Sequence, residues 1–182
     1  MSRAVILYGP PASGKDTITR ELLSIGGFYE HFQRLKVGGD SKSGYRSAGK
    51  EMLATLQCCG EILYANDRYG ATYGIDRTGL DEITKRGRIP VVHLGQVAGV
   101  MAVTGNYAAS WLVIGLWCSR EVAADRLMDR GDTRFTERMA AWDATLTDLR
   151  TSDPGIFALT INTGAIGAAS AAKLIDSCCR AS

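Results

Sequence analysis

Apolar residues come in short unbroken runs, separated by polar segments with helical spacing. Ala4-Val5-Ile6-Leu7-Tyr8 is the first run, and residues 3–8 read as a strand. Ile18, Leu22 and Leu23 follow at helical intervals, so a helix is expected over about 15–24, closed by Gly26-Gly27. Residues 28–46 are polar, basic and glycine-rich, with no clear period. A short helix over about 48–57 would set Met52, Leu53 and Leu56 on one side. Residues 80–87 read as the end of a helix, with Lys85, Arg86 and Gly87 as its stop. Residues 89–94 and 111–117 are continuous apolar runs, the pattern of parallel strands covered on both faces. Helices are expected over 119–129 and about 135–149, a last strand over 156–161, and a last helix over 165–178. This alternation predicts one α/β domain, a three-layer α/β/α sandwich around a central parallel sheet.

The first strand-to-helix turn carries the chemistry. Residues 9–17 read Gly9-Pro10-Pro11-Ala12-Ser13-Gly14-Lys15-Asp16-Thr17. Glycines five apart let the backbone curl so that successive N–H groups point inward at phosphate oxygens. The helix that follows aims its positive end at the same anion. Lys15 reaches the outer phosphates as a mobile point charge. In the usual Walker A loop a Ser or Thr after the lysine holds Mg²⁺. Here that position is Asp16, with Thr17 next. A carboxylate suits a hard cation, so Asp16 is a candidate metal ligand. Asp16 can equally be a first-turn acid that favours the helix dipole, and Thr17 remains open as the metal contact.

Composition narrows the class. The chain has 182 residues, 46% hydrophobic, 22% charged, with formal net charge +2. Such a balance gives no argument for nucleic acid or an anionic membrane as partner. No apolar stretch reaches the length of a spanning helix, and Met1 leads straight into the first strand with no leader read there. The five cysteines include two vicinal pairs and no C-x-x-C. That pattern suits reduced thiols, and a cytoplasmic location is expected. His31 and His93 lack ligand spacing, so no structural zinc is expected. The basic residues cluster instead: Arg126, Arg130, Arg134 and Arg138 stand at four-residue steps. In one continuous helix they would share a face, but Gly131-Asp132 is expected to break it and leave a closing lid.

Three stretches together resemble the guanylate kinase-like branch of the P-loop nucleotide kinases. They are the loop itself; Gly60-Glu61-Ile62-Leu63 through Tyr73-Gly74, then Gly87 and the strand 91–94; and Ser119-Arg120-Glu121 through Arg126-Leu127, Arg130-Gly131 and Arg138 to Asn162. The resemblance implies a P-loop NTPase-type sandwich with a small acceptor-binding insert, about 31–75, and a lid, about 126–140. It implies ATP and Mg²⁺ as cofactors and a phosphorylated small molecule as acceptor. Arg34, Lys36 and Tyr45 fall where that family clamps the acceptor's phosphate, and Tyr73 looks like a further contact. Arg126 and Asn162 fall near adenine. Arg130 and Arg138 resemble the lid arginines that reach the transferred phosphoryl, and Arg134 lies between them beside the substrate.

The sequence departs from that family at the guanine-reading positions. Tyr64 and Gly95 stand where it has carboxylates, and only seven residues separate Arg130 from Arg138. Tyr64 is open to stacking on a base or packing in the core. Gln96 is open to pairing with a base edge or starting a helix. Gly14-Lys15-Asp16 with Tyr73-Gly74-Ile75 is also similar to the ribose 1,5-bisphosphate phosphokinases, which bind a phosphorylated sugar without a base. A nucleoside monophosphate other than GMP is therefore the first expectation for the acceptor and a sugar phosphate the second. Two further classes stay open: a non-catalytic guanylate kinase-like binding module, and a nucleic acid-binding ATPase. The intact loop disfavours the first. The second lacks a strand-end carboxylate and an aromatic platform.

Overall fold

The run Ala4–Tyr8 is fully buried and forms the middle strand of a parallel sheet. The computed structural model describes residues 2–38 and 44–181. The chain runs β1 (Arg3–Tyr8), α1 (Lys15–Ser24), β2 (Tyr29–His31), β3 (Arg34–Val37), β4 (Tyr45–Ser47) and α2 (Lys50–Cys58). It continues through β5 (Ile62–Arg68), β6 (Ala71–Asp76), α3 (Arg77–Lys85), β7 (Ile89–Leu94) and α4 (Val97–Asn106). The last part comprises β8 (Ser110–Trp117), α5 (Arg120–Asp129), α6 (Phe135–Thr151), a 3₁₀ turn (Pro154–Ile156), β9 (Leu159–Asn162) and α7 (Ala168–Ala181).

The main sheet has the order β2-β7-β1-β8-β9, every pair parallel. Because side chains alternate along β1, it feeds two cores. Val5 and Leu7 pack with Ile18 and Leu22 of α1 and Ala172 and Ile175 of α7. Ile6 and Tyr8 pack with Leu80 of α3 and Val100 and Val103 of α4 on the other side. Each such side chain contributes roughly 1.5–3 kcal/mol by leaving water. The expected three-layer sandwich is thus present, with both faces of the sheet covered. Tyr8 also donates to Asp148 Oδ2 (3.1 Å), which accepts from the Val97 N–H at 2.6 Å and ties α6 to the end of β7.

A second, four-stranded sheet of order β4-β3-β6-β5 carries no clear signal in the sequence. Its strands β3 and β4 lie in the polar stretch 28–46, where three- and four-residue strands are too short to display a period. Residues 39–43 of that stretch lie outside the described residues. The β5–β6 hairpin turns through Tyr69 and Gly70, both at positive φ (55° and 71°). Two positive-φ central residues suit a hairpin, but Tyr in place of Asn or Asp hides the turn. Helix α4 is also unannounced, because Val97–Asn106 is apolar with two glycines and has no polar stripe.

Other boundaries differ from expectation. Of the three residues expected on the inner side of α2, only Leu53 is buried; Met52 is 55% exposed. Residues Pro154–Ile156 form the 3₁₀ turn, so the last strand is only Leu159–Asn162. The last helix starts at Ala168 because the N–H groups of Ala165 and Ile166 turn back to the Asn162 carbonyl. Cys58, Cys59, Cys118 and Cys179 form no disulfide, and the Cys58-Cys59 pair lies exposed at the end of α2.

Candidate functional site

One cleft of about 630 Å³ opens where the loop after β1, the small sheet and the α5–α6 corner meet. Its loop half is built from backbone. Ala12 and Gly14 take left-handed conformations (φ 60° and 88°), which curl residues 9–14 around the cleft. Gly9 is obligatory for packing, since a Cβ there would lie 2.6 Å from Ser13 Oγ and against the Leu116 carbonyl. Gly14 caps α1 without a side chain, and the first intrahelical bond runs from Ile18 N–H to Gly14 O. The N–H groups of the first turn, Lys15, Asp16 and Thr17, therefore have no helical partner.

Lys15 Nζ donates to Gly9 O (2.6 Å), Pro10 O (2.8 Å) and Ser13 Oγ (3.3 Å), folding back over its own loop. Burial pulls its pKa down to about 8, against the attraction of Asp16. An anion in the loop would restore the stability of that charge. Asp16, by contrast, is open, with a side chain 84% exposed, and Thr17 is exposed beside it. His93 stands behind Asp16, its Nδ1 3.5 Å from Asp16 Oδ1 and its Nε2 2.6 Å from Thr19 Oγ1. A ring proton on Nδ1 faces Asp16 and leaves Nε2 to accept from the hydroxyl. The His31 ring lies against that of His93 at 4.5 Å. Burial, then the neighbouring His31, Lys15 and Arg34, hold His93 well below its ordinary pKa, so it is neutral at pH 7.

The facing wall is built from side chains of the small sheet. Arg34 and Lys36 on β3 stand two apart, and Lys36 pairs in register with Tyr73, which pairs with Asn66. Paired and alternate residues share one face, so Arg34, Lys36, Tyr73, Asn66 and Arg68 all line the cleft, with Tyr45 beside them. Arg34 donates to Asn66 Oδ1 (2.5 Å) and the Tyr73 carbonyl (3.1 Å), and its guanidinium stacks over the Tyr73 ring. Its Nε is buried with no partner among the described residues. Tyr45 and Tyr73 pack at 5.2 Å. Arg46 points away and instead pairs with Asp76, the residue that caps α3 through Gly79 N–H at 2.9 Å.

The third side is the α5–α6 corner. Helix α5 ends at Asp129 and Gly131 takes φ 61°, so the expected helix break is present. Asp132 holds the corner together. Its Oδ2 lies 2.8 Å from Arg130 Nη2 and 2.7 Å from Arg138 Nε, and its Oδ1 accepts from Arg134 N–H at 3.1 Å. The Arg138 contact is an ion pair whose N–H direction misses the hydrogen bond. Burial raises the Asp132 pKa, but the Arg134 N–H and the two guanidiniums outweigh it and hold it below the ordinary range. Arg134 donates to the Tyr69 carbonyl (3.1 Å), and both Arg134 and Arg138 stack on the Tyr69 ring. The hairpin tip of the small sheet thus touches the corner directly.

The cleft gathers nearly every residue singled out in the sequence: Gly9, Pro11–Thr17, Arg34, Lys36, Tyr45, Tyr73, Arg126, Arg130, Arg134 and Arg138. Pro10 contributes its carbonyl to Lys15. Besides Pro10, three expected residues do not line it. Tyr64 donates to Gln96 Oε1 at 2.8 Å and packs under Gly99, so the two polar groups satisfy each other away from the cleft. Asn162 accepts from Gly164 N–H (2.9 Å), closing a turn, and Thr163 takes its place on the wall. Arg126 is committed to Ala12 O (2.9 Å), Thr163 Oγ1 (3.1 Å) and Thr163 O (2.6 Å), bracing the left-handed residue of the loop. His31, His93, Asn66, Arg68, Tyr69 and Thr163 are wall residues that lack a local signal; only the sheet register and the strand ends bring them in. Among the described residues the lining holds eight Lys or Arg side chains and one carboxylate, Asp16. Such a cleft attracts polyanions.

Among the described residues no cluster of three or more His, Cys, Asp or Glu could cage a metal, and no helix is long and apolar enough to cross a membrane. No protein-family model and no curated protein matches the chain. Solved structures do. The guanylate kinase from Anaplasma phagocytophilum superposes with a TM-score of 0.70 at 17% identity, over 99% of this chain and 85% of that one. Shikimate kinase from Acinetobacter baumannii, in complex with shikimate, superposes with a TM-score of 0.52 at 17% identity, over 100% and 94%. The loop, the parallel sheet and its helices therefore make up the fold of the P-loop kinases.

Proposed function

We propose that the protein is a magnesium-dependent phosphotransferase that moves the γ-phosphoryl of ATP onto the phosphate of a small molecule. The observation that carries this reading is the opposition, across one cleft, of a backbone-built phosphate loop and a cationic side-chain wall. In this reading residues 31–75 hold the acceptor and residues 126–140 form the lid. The loop N–H groups and Lys15 hold the outer phosphates. Arg34, Lys36, Tyr45 and Tyr73 hold the acceptor's phosphate. Arg130, Arg134 and Arg138 neutralise the phosphoryl in transit, where charge spreads over its equatorial oxygens.

The step breaks the bond between the β–γ bridging oxygen and the γ phosphorus, releases ADP, and forms a new bond to an acceptor phosphate oxygen. A phosphate monoester has its second pKa near 6, so that oxygen is already ionised at pH 7 and needs no base. The absence of a free strand-end carboxylate among the described lining residues agrees with this. Asp16 and Thr17 would hold the Mg²⁺, since one open carboxylate suffices for an ion that binds through few protein ligands. The metal would supply charge neutralisation at the β- and γ-oxygens.

A nucleoside monophosphate and a sugar phosphate both meet the demand for a phosphate. The mutual hydrogen bond of Tyr64 and Gln96, outside the cleft, favours the base-free acceptor. A coupled ADP-release screen over nucleoside monophosphates and pentose phosphates tests the reading. Turnover with one phosphorylated acceptor, abolished by Lys15→Met, supports it. ATP binding without turnover on any acceptor would favour a binding module.

A further inference from the structure

Resting on that reading, we infer that His93 is a positioning residue for the metal: its ring, locked by Thr19, aims the Asp16 carboxylate at the Mg²⁺ of the donor nucleotide. Asp16 stands in the first turn of α1 with a side chain 84% exposed, so the helix alone does not fix its rotamer. The strand ends beside the loop offer no carboxylate to share the task. β7 ends in Val92-His93-Leu94 and β8 in Gly115-Leu116-Trp117. What β7 presents instead is His93, in register with buried Leu7 of the central strand and thus anchored in the most rigid part of the sheet.

His93 meets α1 at two points. Asp16 and Thr19 stand three residues apart and so share one face of the helix. The ring bridges them, with Nδ1 3.5 Å from Asp16 Oδ1 and Nε2 2.6 Å from Thr19 Oγ1. The order Thr–His–Asp is that of a hydrolytic relay, but Thr19 is only 3% exposed and lies outside the cleft lining, so its hydroxyl cannot reach a substrate. What remains is orientation. Burial, then the neighbouring His31, Lys15 and Arg34, keep the ring neutral, so it carries one N–H. A proton on Nε2 would set the Nδ1 lone pair against the Asp16 carboxylate. With the Thr19 hydroxyl donating to Nε2, the proton stays on Nδ1 and faces Asp16. His31, packed against the ring at 4.5 Å, restricts its rotation. A single Nδ1–H engages one carboxylate oxygen and leaves the other for a cation, which is how an outer donor orients a metal ligand.

Binding of Mn²⁺ to the full chain saturated with a non-hydrolysable ATP analogue, read from the paramagnetic resonance of the free ion, tests this role without turnover. His93→Leu is expected to weaken Mn²⁺ about tenfold or more, the usual weight of an outer partner, while affinity for the analogue in chelator moves less than about twofold. Two amides separate orientation from bulk. His93→Asn places an N–H donor near the position of Nδ1 and should keep most of the Mn²⁺ affinity. His93→Gln places its amide near the position of Nε2, keeps the Thr19 contact, and should be as weak as His93→Leu. Thr19→Val, which frees the tautomer, should fall between wild type and His93→Leu. Asn and Gln variants that bind Mn²⁺ alike overturn the role, as does a His93→Leu affinity within about twofold of wild type. An equal loss of analogue affinity in chelator also overturns it, since His93 would then merely support the loop. Asp16→Asn with wild-type Mn²⁺ affinity would take the metal from Asp16 and the role from His93. Failure of the analogue to bind with or without Mn²⁺ sinks the phosphotransferase reading itself. An analogue that binds while the amide variants fail to separate leaves that reading standing and removes only the role of His93.

Discussion

The two halves of the cleft offer different groups to an anion. In the loop half the partners are backbone N–H groups, held by left-handed Ala12 and Gly14 and by a strand buried from Ala4 to Tyr8. In the acceptor half they are side chains from three- to seven-residue strands, ranging from buried Lys36 to exposed Tyr45, with Tyr73 packed against Arg34 and Tyr45. A site made of backbone is indifferent to most side chains but intolerant of one added Cβ. A wall made of side chains can change its ligand with little cost to the fold. In the proposed reaction, affinity for the common donor would belong to the first half and selectivity to the second.

Substitutions can break or sharpen this contrast. The largest effect is expected at the loop's point charge. Lys15→Ala should lower kcat about 10³-fold or more by removing a phosphate contact in the transition state, measured by ADP release. A loss below tenfold would mean that the loop is not the donor site. Next comes Gly9→Ala, which places a methyl group against the Leu116 carbonyl and Ser13. ATP affinity should fall about 10²-fold, the scale of an ångström-sized misplacement, with the circular dichroism spectrum kept. The matching change opposite is Arg34→Ala. It should raise KM for the acceptor about tenfold while KM for ATP moves less than about twofold. Equal changes in both would erase the division between the halves.

Asp132→Asn is a smaller perturbation, because it loosens Arg130 and Arg138 without removing them. The cost is about 1 kcal/mol of unfolding free energy at pH 7, since the arginines are partly exposed. The folded-state pKa of Asp132 is depressed, so its contribution is present above the unfolded value of 3.8 and fades as pH falls through the folded value. Urea titrations of the two proteins should therefore differ at pH 7 and converge near pH 3. Smallest of all is Tyr64→Phe, expected to leave kcat/KM within about twofold for any acceptor, because its hydroxyl serves Gln96 outside the cleft. A tenfold loss would put Tyr64 back among the substrate contacts.

How far the sequence reveals these parts follows from how local they are. The loop is nine contiguous residues whose shape is set by its own backbone, so its spacing alone makes it visible in the sequence. The strands of the main sheet announce themselves because burial on both faces demands unbroken apolar runs. The small sheet is different: one of its faces is polar cleft, its strands are short, and its hairpin turns on Tyr69. Arg34, Lys36, Tyr45 and Tyr73 are legible there only through resemblance, whereas Asn66, Arg68 and Tyr69 are not legible at all. Asn162 misleads because a strand-end amide serves a turn as readily as a ligand. Arg126 lines the cleft and also braces the loop's Ala12 carbonyl, a second contact that its place in the sequence does not show.

The order of apolar runs, the glycine spacing and Lys15 by themselves determine a parallel sheet with a glycine-curled loop at the end of its first strand, the shape that the proposed polyphosphate site requires. They act through rules of a few residues' range: burial, backbone freedom and helix polarity. Which cations face one another, which pair off, and which ring stands behind Asp16 was decided only by the fold. Those outcomes depend on distances between residues far apart in the chain, such as Asp16 and His93 or Tyr69 and Arg134, which strand register and helix packing set and local pattern cannot encode.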